Sequence, residues 1–174
     1  RELRRHGADL LVIMTESARR VITPLVVEWA SQCEVITDWN GDMMQLEDAD
    51  AILVAPATRN TIAAHLHGMQ QGPLLMALSA ARSRNTHVLM VPSMHGDLAS
   101  DPVTDDIVER LREESIDVMW GDLEEGKRKT PDHEHIVARF AHGINSKKSN
   151  RKSVVVTLGG TDSPIDDIRG IQNT

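Results

Sequence analysis

Short, continuous apolar runs alternate along this chain with stretches in which apolar residues return every three or four positions, and that alternation predicts strands and helices in turn. Leu10 to Met14, Ala51 to Ala55 and His87 to Val91 are the clearest strand runs, with Val35 to Thr37 and Ile116 to Trp120 as shorter ones. Unbroken apolar character, in place of a one-in-two pattern, predicts strands covered on both faces. The helical pattern falls between them: Pro24 to Ser31, about Asn60 to Met69, Leu74 to Ser83 ended by Asn85, about Val103 to Ser115, and a closing helix that contains Ile136 to Gly143. Strands that take turns with helices in this way imply a parallel, doubly wound sheet in a three-layer α/β/α arrangement.

In such a sheet ligands bind outside the carboxyl ends of the strands, so the strand ends are the places to look for chemistry. Ala51 to Thr61 is the most telling stretch, because its apolar run is broken by Pro56 and followed by the short polar side chains of Thr58, Asn60 and Thr61. Two readings of it stand side by side: a binding loop, or an ordinary strand-to-helix turn whose hydroxyls cap the next helix. Pro92 to Asp97 follows another strand and carries Met94 and His95. Thr15 and Ser17 follow a third; they suit a phosphate contact or a helix cap equally well.

Composition narrows the class. The chain has 174 residues, 40% of them hydrophobic and 26% charged, which suits one globular domain with a real core. A formal net charge of -7 argues against nucleic-acid binding, and no run reaches the length of a membrane helix. With no Tyr and a single Phe, the core must rest on aliphatic side chains. One cysteine, Cys33, and no signal-peptide pattern predict a cytoplasmic protein, in which Cys33 is expected to be a small buried hydrophobe. His65 with His67, and His133 with His135, sit two apart on helices with their rings diverging, so a solvated surface and no metal site are expected there.

Arg1 to Gly7 reads as the last turns of an amphipathic helix closed by a glycine, so a preceding segment is expected. Asn145 to Ser153 is polar and basic, like an exposed linker. The domain organisation predicted is thus 1–144 as the main unit, 145–153 as linker and 154–174 as the opening of a second domain.

Ala55-Pro-Ala-Thr-Arg-Asn-Thr61 resembles the P-A-S/T-A-N-T motif of the flavin-dependent cysteine decarboxylase family. Pro92-Ser-Met-His-Gly-Asp-Leu98 is similar to that family's P-A-M-N-x-x-M motif, and Met14-Thr-Glu-Ser-Ala18 with Ile22-Thr-Pro-Leu25 to its M-T-x-x-A and I-T-P-L region. Gly159-Gly-Thr-Asp-Ser-Pro-Ile-Asp-Asp-Ile-Arg169 resembles the opening of phosphopantothenate-cysteine ligases. The resemblance implies a flavodoxin-like (Rossmann-type) domain that binds FMN and assembles as a homotrimer or dodecamer with flavin at a subunit interface. It also implies a small-molecule substrate, phosphopantothenoylcysteine, whose thiol is oxidised, whose carboxylate leaves as carbon dioxide, and whose remainder is reduced to phosphopantetheine.

Carried over position by position, the resemblance assigns Asn60 to the substrate carboxylate or a flavin carbonyl, and Thr15, Ser17, Pro56, Ala57, Thr58, Thr61 and Met94 to the cofactor. Lys127 and Arg128 take the place of the substrate clamp, where they would meet a phosphate. Departures accompany the matches. Asp42 occupies the position of a catalytic His, His95 replaces an Asn, no cysteine lies in Leu123 to Lys129, and Met76-Ala77 replace a Ser-Thr pair. Asp42 and His95 are therefore the candidates for proton transfer, beside Asn60 as the central catalytic residue. The loop that would cradle the FMN phosphate is expected upstream of Arg1.

Overall fold

The structure is a computed structural model that describes residues 1–39, 49–124, 127–128, 130–147, 162–164 and 170–172. Its first part runs α1 (Glu2–Arg5), β1 (Leu11–Ile13), α2 (Glu16–Arg19), α3 (Pro24–Ser31), β2 (Glu34–Ile36), β3 (Ala51–Ala57) and α4 (Arg59–Leu66). It continues through α5 (Pro73–Arg84), β4 (His87–Pro92), α6 (Gly96–Ala99), α7 (Pro102–Glu113) and β5 (Asp117–Val118). The short ladder β6 (Leu123–Glu124) with β7 (Lys127–Arg128), the helix α8 (His133–Ser146), and the strands β8 (Asp162–Pro164) and β9 (Gly170–Gln172) complete the order.

Two parallel sheets carry the fold, β1 beside β2 and β3-β4-β5 with β4 in the middle. Alternation along the strands splits the core into two layers. Ile52, Val54, Val88, Met90 and Val118 point to one side, against Ile62 and Leu66 of α4, Leu75 and Leu78 of α5, and Ile107, Val108 and Leu111 of α7. Leu53, Leu89, Val91 and Met119 point to the other, against Ile136 and Phe140 of α8 and Leu3 of α1. Ile36 of β2 packs on Ala77 of α5, with Leu11, Ile13 and Ile52 alongside, so the two-stranded sheet shares the α5 layer. The expected α/β/α sandwich is what forms.

Element ends follow local chemistry. Thr15 and Thr23 each accept the amide of the residue three positions on, and Asp101 and Asp132 each that of the residue two on, starting α2, α3, α7 and α8. Gly7, at φ 80, follows the C-cap of α1, and Asn85, at φ 54, closes α5, both as the pattern predicted. At Gly143 on α8 only a glycine fits, since a Cβ there would run into the His87 ring. Arg139 of α8 donates to both carboxylate oxygens of Asp117 of β5, through Nε at 2.9 Å and Nη2 at 2.6 Å.

Several expectations need correction. The strand predicted to stop at Ala55 runs to Ala57, its Ala55–Pro56 peptide cis and its register shifting between Val54 and Ala57. The strand predicted for Ile116 to Trp120 is only Asp117–Val118, paired with Leu89 and Met90. His65 is not on a solvated surface: it is 3% exposed, among α4, α5 and α7. Cys33 is half-buried, not enclosed, and its thiol lies 2.8 Å from the Ser31 hydroxyl. The closing helix continues through Asn145 and Ser146, inside the segment expected to be linker.

Candidate active site

The carboxyl ends of β3 and β4 lie side by side, because the two strands are parallel and paired through Ala57 and Pro92. One residue beyond, the Ser93 amide donates to the Ala57 carbonyl at 3.0 Å, so the two loops leave the sheet tied together. On the first loop, Ala57 is fully buried while Pro56, Thr58 and Asn60 are exposed. The buried alanine lets the backbone turn tightly from strand into α4 and leaves the polar groups outside.

Both readings of Thr58 hold in the geometry. Its hydroxyl oxygen accepts the Thr61 amide at 3.3 Å, a regular N-cap. It also lies 2.9 Å from the Thr61 hydroxyl. Two hydroxyls that share one hydrogen bond keep one hydrogen for an outside acceptor. The amides of Arg59 and Asn60, in the first turn of α4, have no helix carbonyl to bond. Asn60 adds a side-chain amide that donates and accepts.

On the second loop, Met94 is half-buried and His95 is the N-cap residue of α6, without a side-chain cap bond. The imidazole is exposed, with Nδ1 3.9 Å from the carboxylate of Asp97. A pair this open contributes little to stability. α6 packs against β7, which brings the His95 loop towards Lys127 and Arg128. Those two pair in the backbone with Glu124 and Leu123; their side chains lie outside the described part. Asp42 also lies outside the described residues.

Thr15 and Ser17 belong to a different turn, in the two-stranded sheet. Thr15 is committed as the cap of α2, accepting the Ala18 amide at 3.2 Å, and Ser17 is exposed on that helix. The sequence reading missed Arg59 and Asp101, which join at 2.7 Å. A signal existed: Arg59 puts a cation in the first turn of a helix, where a helix disfavours it. Asp101 has its carboxyl held below the usual range, first by the Val103 amide it accepts and then by Arg59.

Residues 1–145 match the Flavoprotein family. The chain belongs to that family. Among curated relatives, the coenzyme A biosynthesis bifunctional protein CoaBC of Thermococcus kodakarensis is 33% identical over 180 residues, which cover 99% of this chain and 44% of that protein. The chain thus spans somewhat under half the length of the relative it matches. Two solved structures share the fold: the FMN-binding protein AtHal3, at TM-score 0.68 and 17% identity over 83% of this chain and 86% of that one, and a PPC decarboxylase variant, at TM-score 0.66 and 18% identity over 82% and 86%. The flavodoxin-like architecture expected from the motifs is therefore the one this flavoprotein adopts. Among its described residues no helix is long and apolar enough to cross a membrane.

Proposed function

We propose that this flavoprotein is the decarboxylase portion of a bifunctional coenzyme A biosynthesis protein, acting in the cytoplasm on phosphopantothenoylcysteine with FMN as cofactor. The observation that carries the proposal is the paired strand end, where Asn60 and Thr58 stand exposed and Thr61 half-buried beside the His95 loop in a chain of this family. Residues 154–174 then open the ligase-like domain of the longer protein.

The residues fit an uncharged flavin ring. Ala55 to Thr61 offers two hydroxyls and an amide among small side chains, with the one charged group, Arg59, paired to Asp101. FMN, when bound, supplies the two-electron redox chemistry. Pro56, Ala57, Thr58, Thr61 and Met94 would line it, the spare hydroxyl hydrogen of the Thr58–Thr61 pair going to a ring acceptor, with Thr15 and Ser17 as further contacts. Asn60 holds the substrate carboxylate through its amide. His95 is the candidate for proton transfer within the paired loops, whereas the Asp42 carboxylate would repel an anionic substrate. Lys127 and Arg128 meet the substrate phosphate.

Homo-oligomeric assembly, as a trimer or a dodecamer built from trimers, is part of the proposal. Its support is the run of exposed apolar side chains Val21, Ile22, Leu25, Val26 and Trp29 on α3 and just before it.

A second reading is a flavin-binding or assembly module that has lost decarboxylation, favoured by the absence of any cysteine but Cys33, which lies next to α3. Full-length protein given phosphopantothenoylcysteine separates the two. Carbon dioxide release with FMN bound is expected, and Asn60→Asp should reduce it at least about a hundredfold while flavin stays bound. A yellow protein that releases no carbon dioxide would establish the module instead.

A further inference from the structure

Arg59 stands where a helix least favours a cation, as the first residue of α4, at the end that carries partial positive charge. Asp101 offsets this: Arg59 Nη1 donates to Asp101 Oδ2 at 2.7 Å, with the two side chains only 23% and 34% exposed. The other oxygen, Oδ1, accepts the Val103 amide at 3.0 Å and starts α7. One carboxylate therefore joins the first turn of α4 to the first turn of α7.

That junction reaches both loops of the site. Asn60 directly follows Arg59 in the chain. On the other side, α6 lies between His95 and Asp101, and the buried Thr104 hydroxyl fastens it to α7 by donating to the Leu98 carbonyl at 2.6 Å. The Ser93 amide on the Ala57 carbonyl closes the circuit at the sheet. Beside the apolar packing of α4 on α7, Arg59 and Asp101 add a charged tie between the first turns of the two helices.

We propose that Arg59 and Asp101 are positioning residues, whose ion pair fixes the turn presenting Asn60 relative to the turn presenting His95. Neither side chain reacts. Displacement of a group by about an ångström can cost up to about a hundredfold in rate, so a pair that sets this separation acts on turnover more than on capture. A guanidinium, planar and always charged, holds such a span better than a flexible ammonium. The kinetic consequence rests on the decarboxylase reading, and the mechanical one does not.

The test uses full-length protein with Arg59→Ala, Arg59→Lys and Asp101→Asn. Asparagine still caps α7 through its one side-chain oxygen, so Asp101→Asn leaves the cap and removes both the charge and the acceptor that face Arg59. In hydrogen–deuterium exchange, Arg59→Ala and Asp101→Asn should both speed exchange in residues 58–62 and also in residues 93–97. Both should lower kcat about tenfold, with KM within about twofold and flavin content unchanged, and Arg59→Lys should recover part of the loss. Faster exchange confined to residues 58–62, or an unchanged kcat where both segments loosen, would overturn the proposal. If the unaltered protein releases no carbon dioxide, the decarboxylase reading fails by itself, and the exchange of the two segments still decides whether the pair couples them.

Discussion

At the scale of the residue, Thr58 shows how one side chain serves structure and site together. Its hydroxyl caps α4 through the Thr61 amide and shares a hydrogen bond with the Thr61 hydroxyl. Thr58→Ala should cost about 1 kcal/mol in urea denaturation, the usual value of a lost cap. It should also weaken FMN binding by up to about tenfold, measured by flavin fluorescence, because one neutral hydrogen bond is lost. Thr58→Ser should keep both properties. If Thr58→Ala loses stability and binds FMN as before, the loop is a cap and the cofactor contact lies elsewhere. Sequence alone left these readings level because both require a short hydroxyl at the same position.

At the scale of elements, α4, α5 and α7 meet at His65. Arg82 Nη2 donates to the His65 carbonyl at 3.0 Å and reaches the ring Nε2 at 3.2 Å, while Glu114 pairs with Arg82 at 2.7 Å. The same Nε2 lies 3.4 Å from the Glu114 carboxylate; facing Arg82, which only donates, it must accept, and that contact favours the neutral ring. Burial, then the charge of Arg82, lowers the proton affinity of His65, with Glu114 opposing. The unfolded chain takes up that proton near the ordinary value of 6.5 and the folded chain only at lower pH. Stability is therefore complete above about 6.5 and is lost as pH falls from there towards the folded value. His87 adds to the same trend, its proton affinity lowered by burial and then Lys147, against Asp117. His65→Gln keeps an acceptor for Arg82 without the titration, so its thermal midpoint should fall less between pH 6.5 and roughly pH 5 than that of the parent. Equal falls would place the dependence on His87.

The same joint shows what the sequence could convey. β3 and β4 were legible because strands covered on both faces must be apolar throughout, and α3 and α5 because Pro24 and Asn85 are local signals. β5 was overestimated, since an apolar run marks burial and not ladder length, and only Asp117–Val118 pairs. His65 was misread because spacing along a helix says which way a ring points but not what packs there. Within the site, Asn60, Thr58 and Thr61 were found through the strand-end rule. Arg59 and Asp101 were not, for their partnership exists only once α4 and α7 are placed side by side.

At the scale of the whole molecule, the unexplained surface is the one around α3. Val21 is 89% exposed, Leu25 73% and Trp29 80%, with Ile22, Val26 and Trp39 also open to solvent. Leu25 and Trp29 are four apart, so they share a face of the helix. The Thr23 cap and Pro24 set where α3 begins, and with it which way that face points. Apolar side chains gathered in this way mark a contact surface more often than a free one. Proposed as the contact between protomers, the face predicts that Leu25→Glu with Trp29→Glu lowers the mass measured by light scattering to that of a single chain. Circular dichroism should stay the same, because neither side chain belongs to the buried core. FMN should be lost together with assembly if the flavin lies at a subunit interface. An oligomer that persists at reduced thermal stability would mean that this face packs within the protomer, and the interface would have to be sought on another surface.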